Sequence, residues 1–539
     1  MTGGLGDLGG LGDPGGLGGR ADAALDAARR LLARGGGSAE VLRAAFEAEQ
    51  QRLRRQMSVV VVGRISAGKS TLVNALIGEE RVATGSQELT FNVNRLRYAD
   101  TPRLLVRYRE EGRPSVEYSP DRLAELTARR DDHLEQLRGI REVLVEFPAP
   151  YLRLFELIDT PGLDSVYGED SLNTLAFLRL RPEEVASTSR RHATAADALL
   201  LVLPVRGPST TDAEVVAHFL GRDFENSTPL TTLGALTKCE ELWEPGGPHP
   251  LVLGRRLADR ILQDAPGMRR RLFDLTPVCG LIGQAAATLD ESDVAALEEL
   301  AALRPDFLSY LLGAASFFGG EDEGAPLDGA RRRALWRRYG PYGLHTLCER
   351  IRDGERRVPE LRALLAEDSG LDGLRAQLAD HFGHRSALLK LHTALERIRR
   401  MPQDLAAGVG PRERALLEEA IGLVEALALD EPGFAELRTL RALYGGRLRL
   451  DAEATEELRR LLGEFGRGPA DRLGLPADSG ADALRAEARR RHGVWLNRWQ
   501  SGGLSGPTRA AARAAVRAYE HLLYGLDGGG GGADPRRGV

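Results

Sequence analysis

Four consecutive valines, Val59 to Val62, run directly into Gly63-Arg64-Ile65-Ser66-Ala67-Gly68-Lys69-Ser70, and Thr71-Leu72-Val73-Asn74-Ala75-Leu76 follows. An unbroken β-branched run reads as a strand buried on both faces, and the apolar pattern after it reads as a helix. The residues between them fit G-x-x-x-x-G-K-[ST] in the strand-to-helix context that this pattern requires. Its glycines let backbone N–H groups turn inward around phosphates, and the helix N-terminus adds the positive end of its dipole. This junction commits the chain to an α/β fold with a mostly parallel sheet. Gly63, Ser66, Ala67, Gly68 and Thr71 line the expected cradle. Lys69 is placed to reach the β- and γ-phosphates, and the Ser70 hydroxyl to ligate Mg²⁺.

From Met57 to about Ile282 further short apolar runs alternate with helical stretches: 154–158, 199–203, 232–236 and 276–278. Strands that alternate with helices indicate a parallel sheet. Asp159-Thr160-Pro161-Gly162 ends the first of these runs. Asp-x-x-Gly is also a common turn. After a buried strand and downstream of the cradle, Asp159 is placed to hold Mg²⁺ through water, and the Gly162 N–H to contact the γ-phosphate. Thr237-Lys238-Cys239-Glu240 ends the run at 232–236. In GTPases a Thr/Asn-Lys-x-Asp segment at this point reads guanine. The lysine stem covers the purine face, and the carboxylate accepts from the ring N–H and the exocyclic amine. Here the acid is Glu240, one methylene longer, so its carboxylate must retract; the motif favours GTP over ATP. Val278-Cys279-Gly280 lies where a further base-contacting loop belongs. Either a backbone N–H there, at Cys279, meets the guanine carbonyl oxygen, or the stretch is a plain turn.

Composition sharpens these assignments. Only Lys69, Lys238 and Lys390 are lysines among 73 basic residues of Lys and Arg type, so two of the three fall inside nucleotide motifs. In such an arginine-rich chain a lysine marks a site where a planar guanidinium does not replace a compact ammonium. The net charge of -5 gives no electrostatic case for a nucleic-acid partner. Three scattered cysteines, Cys239, Cys279 and Cys348, form neither a disulfide framework nor a metal cluster, which suits a reducing compartment. The start of the chain lacks the features of a signal peptide, and no apolar run reaches the roughly 20 residues that span a bilayer. The expectation is a cytoplasmic protein with peripheral contact at the inner face of the cell membrane.

The chain organises into five stretches. Residues 1–19 and 527–539 are Gly-rich and read as disordered. Residues 20–56 form a helical arm of two patterns broken at Gly35-Gly36-Gly37, with Ser38 as N-cap of the second and Leu42, Phe46 and Leu53 on one face. Residues 57–400 form the nucleotide domain with a helical C-terminal part. Residues 401–526 carry apolar residues at helical spacing, with junctions at 408–411 and 467–480, and read as a helical bundle.

With its motifs in this order, the segment from Val60 to about Gly280 resembles the bacterial dynamin-like GTPases. The resemblance rests on Gly63–Ser70, Glu88-Leu89-Thr90, Asp159-Thr160-Pro161-Gly162-Leu163 and Leu236-Thr237-Lys238-Cys239-Glu240. It implies a GTP hydrolase that uses Mg²⁺, self-associates through its nucleotide face and helical bundle, and remodels membrane lipid. It also implies that the arm and the C-terminal helices combine into a neck- or stalk-like bundle. Lys69, Ser66 and Thr90 then act in catalysis, and Ser70, Thr90 and Asp159 hold the metal; Thr84 is the alternative to Thr90 as switch threonine. Two departures stand out. Leu163 follows Gly162, so the Gln of Ras-like enzymes is absent, as it is in dynamin-like proteins. The family's Gln-Ser-x-Gly-Lys-Ser has Ile65 in place of Gln, with Ser66 kept. Arg64 is either an arginine finger in cis or a surface residue of an arginine-rich chain. The resemblance implies slow turnover, raised by dimerisation. Two segments offer membrane contact, Phe307–Leu312 continuing to Phe317-Phe318, and the Arg- and Trp-rich 489–499; for each, a packed core helix is the alternative. The rival functions are a regulatory switch of the Ras-like or ribosome-assembly type and a weakly active nucleotide-binding scaffold.

Overall fold

The computed structural model describes residues 16–63, 67–77, 93–110, 112–119, 122, 139–159, 196–206, 229–269, 271–320, 324–383, 385–404, 410–444, 446–464 and 468–528. The chain divides into two compact units. One comprises Ser58–Ser227 and Thr231–Ala379, the other Met1–Met57, Thr228–Leu230 and Asp380–Val539.

The first unit is built on one sheet, with nine strands among the described residues. They are β1 (Ser58–Gly63), β2 (Val93–Tyr98), β3 (Arg103–Tyr108), β4 (Val116–Tyr118), β5 (Ile140–Phe147), β6 (Glu156–Asp159), β7 (Ala198–Pro204), β8 (Thr232–Thr237) and β9 (Leu275–Pro277), in the order β4-β3-β5-β2-β6-β1-β7-β8-β9. The half from β6 to β9 is parallel throughout. β2 is antiparallel to β6 but parallel to β5, and β3 is antiparallel to both its neighbours. The sheet is therefore mixed, and its parallel half contains the strands legible as apolar runs. β1 and β8 are buried at every position, as strands covered on both faces must be. β2 to β5 escape the sequence reading because one face is polar. β3 buries Leu104, Val106 and Tyr108 while Arg103 and Arg107 point outward to pair with Glu117 and Glu142.

The helical part that follows shares the sheet's core. Val60, Leu201 and Leu236 belong to one apolar cluster with Ile282, Leu297, Leu335, Leu344 and Leu365. Each such side chain contributes about 1.5–3 kcal/mol when removed from water. The unit ends at Ala379 rather than at the expected residue 400. The reason lies in the helix Ser386–Asp404, whose Leu391, Leu395 and Ile398 are buried in the core of the other unit.

That second unit is helical. α1 (Leu17–Leu32) and α2 (Glu40–Arg54) pack with Ser386–Asp404 and Pro411–Asp430 around Leu25, Leu32, Leu42, Phe46, Ile398 and Val424. A buried Gln50 joins the two arm helices: its amide donates to Asp22 Oδ1 (3.0 Å) and Asp26 Oδ1 (2.9 Å) and accepts from Arg29 (2.9 Å). The buried Lys390 ammonium donates to the carbonyls of Leu53 (2.6 Å) and Arg55, capping the C-terminus of α2. Some expected boundaries shift. α1 begins at Leu17, inside the stretch read as disordered, because Leu17 packs against the core. The N-cap of α2 is Ala39, without a side-chain bond, since a 3-10 turn over Ala33–Ala39 takes up Ser38. The last helix runs to Gly528, just past the expected start of the tail at 527. Residues 1–15 and 529–539 lie outside the described residues.

Both membrane segments are helical. In Pro305–Leu312, Leu308, Leu311 and Leu312 are core residues, whereas Tyr310 is exposed and stacks at 5.0 Å on the exposed Phe317 of the next helix, Ala315–Gly319. In Ala481–Gln500, Trp495 is fully buried, which removes it from any interface and makes it a core residue. Among the described residues no helix is long and apolar enough to cross a membrane.

Candidate nucleotide site

The carboxyl ends of β1, β6 and β8 lie along one edge of the parallel half, the edge at which open α/β sheets take their ligands. β1 delivers Gly63, and α3 (Lys69–Ile77) starts six residues later. A Cβ on Gly63 would sit 2.5 Å from the Val202 carbonyl oxygen, so the close passage of β7 excludes any side chain. Gly68 has φ +88°, a left-handed conformation that turns the loop into the helix. Lys69 folds back and donates from Nζ to the Gly63 carbonyl at 3.0 Å. Ser70 and Thr71 follow in the first turn of α3, where backbone N–H groups have no helical acceptor.

β8 braces this loop. The Thr237 hydroxyl donates to the Ala67 carbonyl at 2.6 Å, with the Leu203 carbonyl at 3.2 Å. The first residue of the base-reading segment is thus a strut for the phosphate loop. Lys238 then adopts φ +60°, unusual for a residue with a side chain, and reverses the chain into a 3-10 turn over Cys239–Leu242.

Two buried carboxylates mark the ends of the site. Asp159, at the end of β6, is 0% exposed, and neither of its oxygens has a hydrogen-bond partner among the described residues. Burial pushes this carboxyl up to about 6, against the pull of the Lys69 ammonium and the nearby Asn94 side chain. Glu240 is buried in the 3-10 turn, and its Oε2 likewise has no partner. Burial pushes it up to about 7, offset in part by the backbone N–H groups of Glu240 itself and Leu281. A carboxylate kept from water without a donor is costly unless a ligand supplies one.

The segment expected to touch the base is arranged differently from the sequence reading. The Val278 N–H donates to Leu236 (2.8 Å) and the Cys279 N–H to the Ser369 carbonyl (2.9 Å). Cys279 therefore has no free amide to offer guanine. The next amides, of Gly280 and Leu281, open the helix Gly280–Thr288 beside α3, where the Cβ position of Gly280 is 3.6 Å from Thr71 Cγ2. The Cys279 thiol is instead raised by burial and by the charge of Glu240. Arg375 is a support the motifs do not announce: its Nη2 donates to the Ala75 (2.7 Å) and Leu76 (3.2 Å) carbonyls and caps α3. Arg64, Ile65, Ser66, Thr84, Thr90, Gly162 and Leu163 lie outside the described residues.

The order of these elements along the chain, and their gathering on one strand edge, is that of a P-loop GTPase domain. Known proteins compare accordingly. Residues 59–239 match the dynamin family. The resemblance of this chain to the bacterial dynamin-like GTPases is borne out. It is similar to isoniazid-induced protein IniC of Mycobacterium tuberculosis, 29% identical over 474 residues that span 88% of this chain and 91% of that protein. Dynamin-like protein 2 of Campylobacter jejuni is 31% identical over 127 residues, 24% of this chain and 20% of that one. GTPase Der of Azorhizobium caulinodans is 34% identical over 146 residues, covering 24% of this chain and 30% of that one.

Proposed function

We propose that the chain binds GTP with Mg²⁺ and hydrolyses it, and that it couples hydrolysis to self-assembly and to remodelling of a membrane surface at which it is peripheral. The observation that carries the reading is a pair of buried carboxylates with oxygens left open among the described residues, both oxygens of Asp159 at the end of β6 and Oε2 of Glu240 in the turn after β8.

Each residue has a task. Lys69 exchanges the Gly63 carbonyl for β- and γ-phosphate oxygens, and the amides that open α3 receive the phosphates. Glu240 accepts the guanine N1–H and 2-amino donors, and the Lys238 stem lies over the purine. The Asp159 carboxylate and the Ser70 hydroxyl suit a hard, oxygen-preferring cation, and Thr90 joins them from the switch segment. When bound, Mg²⁺ neutralises charge developing on the β- and γ-phosphate oxygens. Ser66 serves the β–γ bridging oxygen. Ile65 brings no polar group, so turnover by a single copy is slow and rises with pairing of nucleotide faces. The exposed Tyr310–Phe317 stack supports lipid contact; the buried Trp495 does not.

The test is Lys69→Ala. GTP hydrolysis falls by at least about a hundredfold, while circular dichroism stays that of the parent. A variant that hydrolyses GTP like the parent sinks the assignment. Pairing predicts that activity per molecule rises with protein concentration, and a flat dependence refutes it.

A further inference from the structure

Asp159 needs something to aim it, and the structure offers one group. β2 pairs with β6 in antiparallel register, with Asn94 opposite Asp159 and Leu96 opposite Leu157. Residues directly opposite in such a ladder project on the same face, with Cβ atoms about 4.5–5.5 Å apart. Along β2, Asn94 and Leu96 are buried, while Arg95 and Arg97 turn to the other face and pair with Glu156. Position 94 is thus a core position held by an amide. Asn94 is 0% exposed, and neither its Nδ2 nor its Oδ1 has a hydrogen-bond partner among the described residues. Leucine would fill the same space without the cost of burying an amide unsatisfied. The two groups lacking partners face each other: an amide with two donors and a carboxylate with two bare oxygens. They lie close enough for Asn94 to favour the charged form of Asp159, yet in this conformation they complete no hydrogen bond.

We propose that Asn94 is a positioning residue for Asp159, its side-chain N–H donating to one carboxylate oxygen when the site is loaded, so that the other oxygen faces Ser70 and the metal water. The residue acts through Asp159 and touches neither nucleotide nor metal. The inference rests on the reading of this site as an Mg²⁺–nucleotide centre. Groups that hold a metal-binding carboxylate in place are worth about 10–100-fold in metal affinity.

The test is equilibrium binding of fluorescent GDP to the full chain across a Mg²⁺ series and in EDTA, for the parent, Asn94→Leu and Asn94→Ala. In both variants the Mg²⁺ concentration that half-maximally tightens GDP binding rises about tenfold, and affinity in EDTA stays within about twofold of the parent. Should the leucine not fit, the alanine variant carries the measurement. An unchanged Mg²⁺ midpoint overturns the proposal. So does an equal loss of affinity with and without Mg²⁺, which marks a packing role only. A parent whose GDP affinity ignores Mg²⁺ overturns the site reading itself, and that result is visible before any variant is compared.

Discussion

Replacing Glu240 by Gln separates charge from shape at the base end of the site. In the nucleotide-free protein burial pushes Glu240 up to about 7 from an ordinary 4.5, and only the ionised form accepts both guanine donors. At pH 6 roughly one-tenth of the molecules carry that charge, and at pH 8 roughly nine-tenths, so GDP binds about tenfold more tightly at pH 8. The glutamine variant has no proton to lose at this position and sets an amide N–H donor against one of the two guanine donors. Losing hydrogen bonds to a charged acceptor costs about 1.5–3 kcal/mol, so at pH 8 affinity falls roughly 10–100-fold, and at pH 6 by less. Stability moves the other way. The folded-state value is raised, so the folded protein holds this proton longer than the unfolded chain. Stability from this group is therefore full below pH 4.5 and is lost as pH rises through about 7. The loss amounts to ~3 kcal/mol, and the nucleotide-free glutamine variant melts above the parent at pH 8 and not at pH 4.5. The assay is fluorescent GDP titration from pH 5.5 to 8.5 in EDTA, read as the ratio of parent to variant so that titration of the nucleotide phosphate cancels. If parent and variant share one pH dependence, Glu240 is not the acceptor of guanine.

Two other perturbations probe the frame. Thr237→Val keeps the shape of the side chain but removes the hydroxyl that donates to Ala67, at a cost of about 1 kcal/mol. GTP and ATP affinity should fall together, and a change in their ratio would show that Thr237 acts on the base instead. Lys390→Met leaves the Leu53 and Arg55 carbonyls without their cap and should lower unfolding free energy by about 1–3 kcal/mol in denaturant titration; a change within about 0.5 kcal/mol would refute the capping role.

How far the sequence could be read depended on how locally each feature is encoded. The phosphate loop, Asp159 and the Thr237–Glu240 turn are contiguous motifs at the ends of fully buried strands, so their place in the fold follows from the pattern itself. The mixed half, β2 to β5, did not stand out, because strands with one solvated face such as β3 interleave Arg with Leu and Val. Cys279 failed as an amide donor for a non-local reason: its N–H is taken by Ser369, far along the chain. Asn94 and Arg375 were equally out of reach, since an isolated amide or arginine acquires meaning only from the strand or helix opposite it. Lys390 was singled out as a rare lysine without a motif; its reason is a helix end more than 300 residues earlier.

The separation that hides Lys390 also sets a schedule for synthesis. α1 and α2 emerge first, carrying Leu25, Leu32, Leu42 and Phe46 on faces meant for helices that begin at Ser386. At about 5–20 residues per second, the ribosome needs roughly 15–70 s to deliver them. Throughout that interval the apolar surface that α1 and α2 do not bury against each other lacks its native cover. Such an arm would be a natural client for a chaperone at the tunnel exit, while the α/β unit downstream can close its own core before the arm finds its helices.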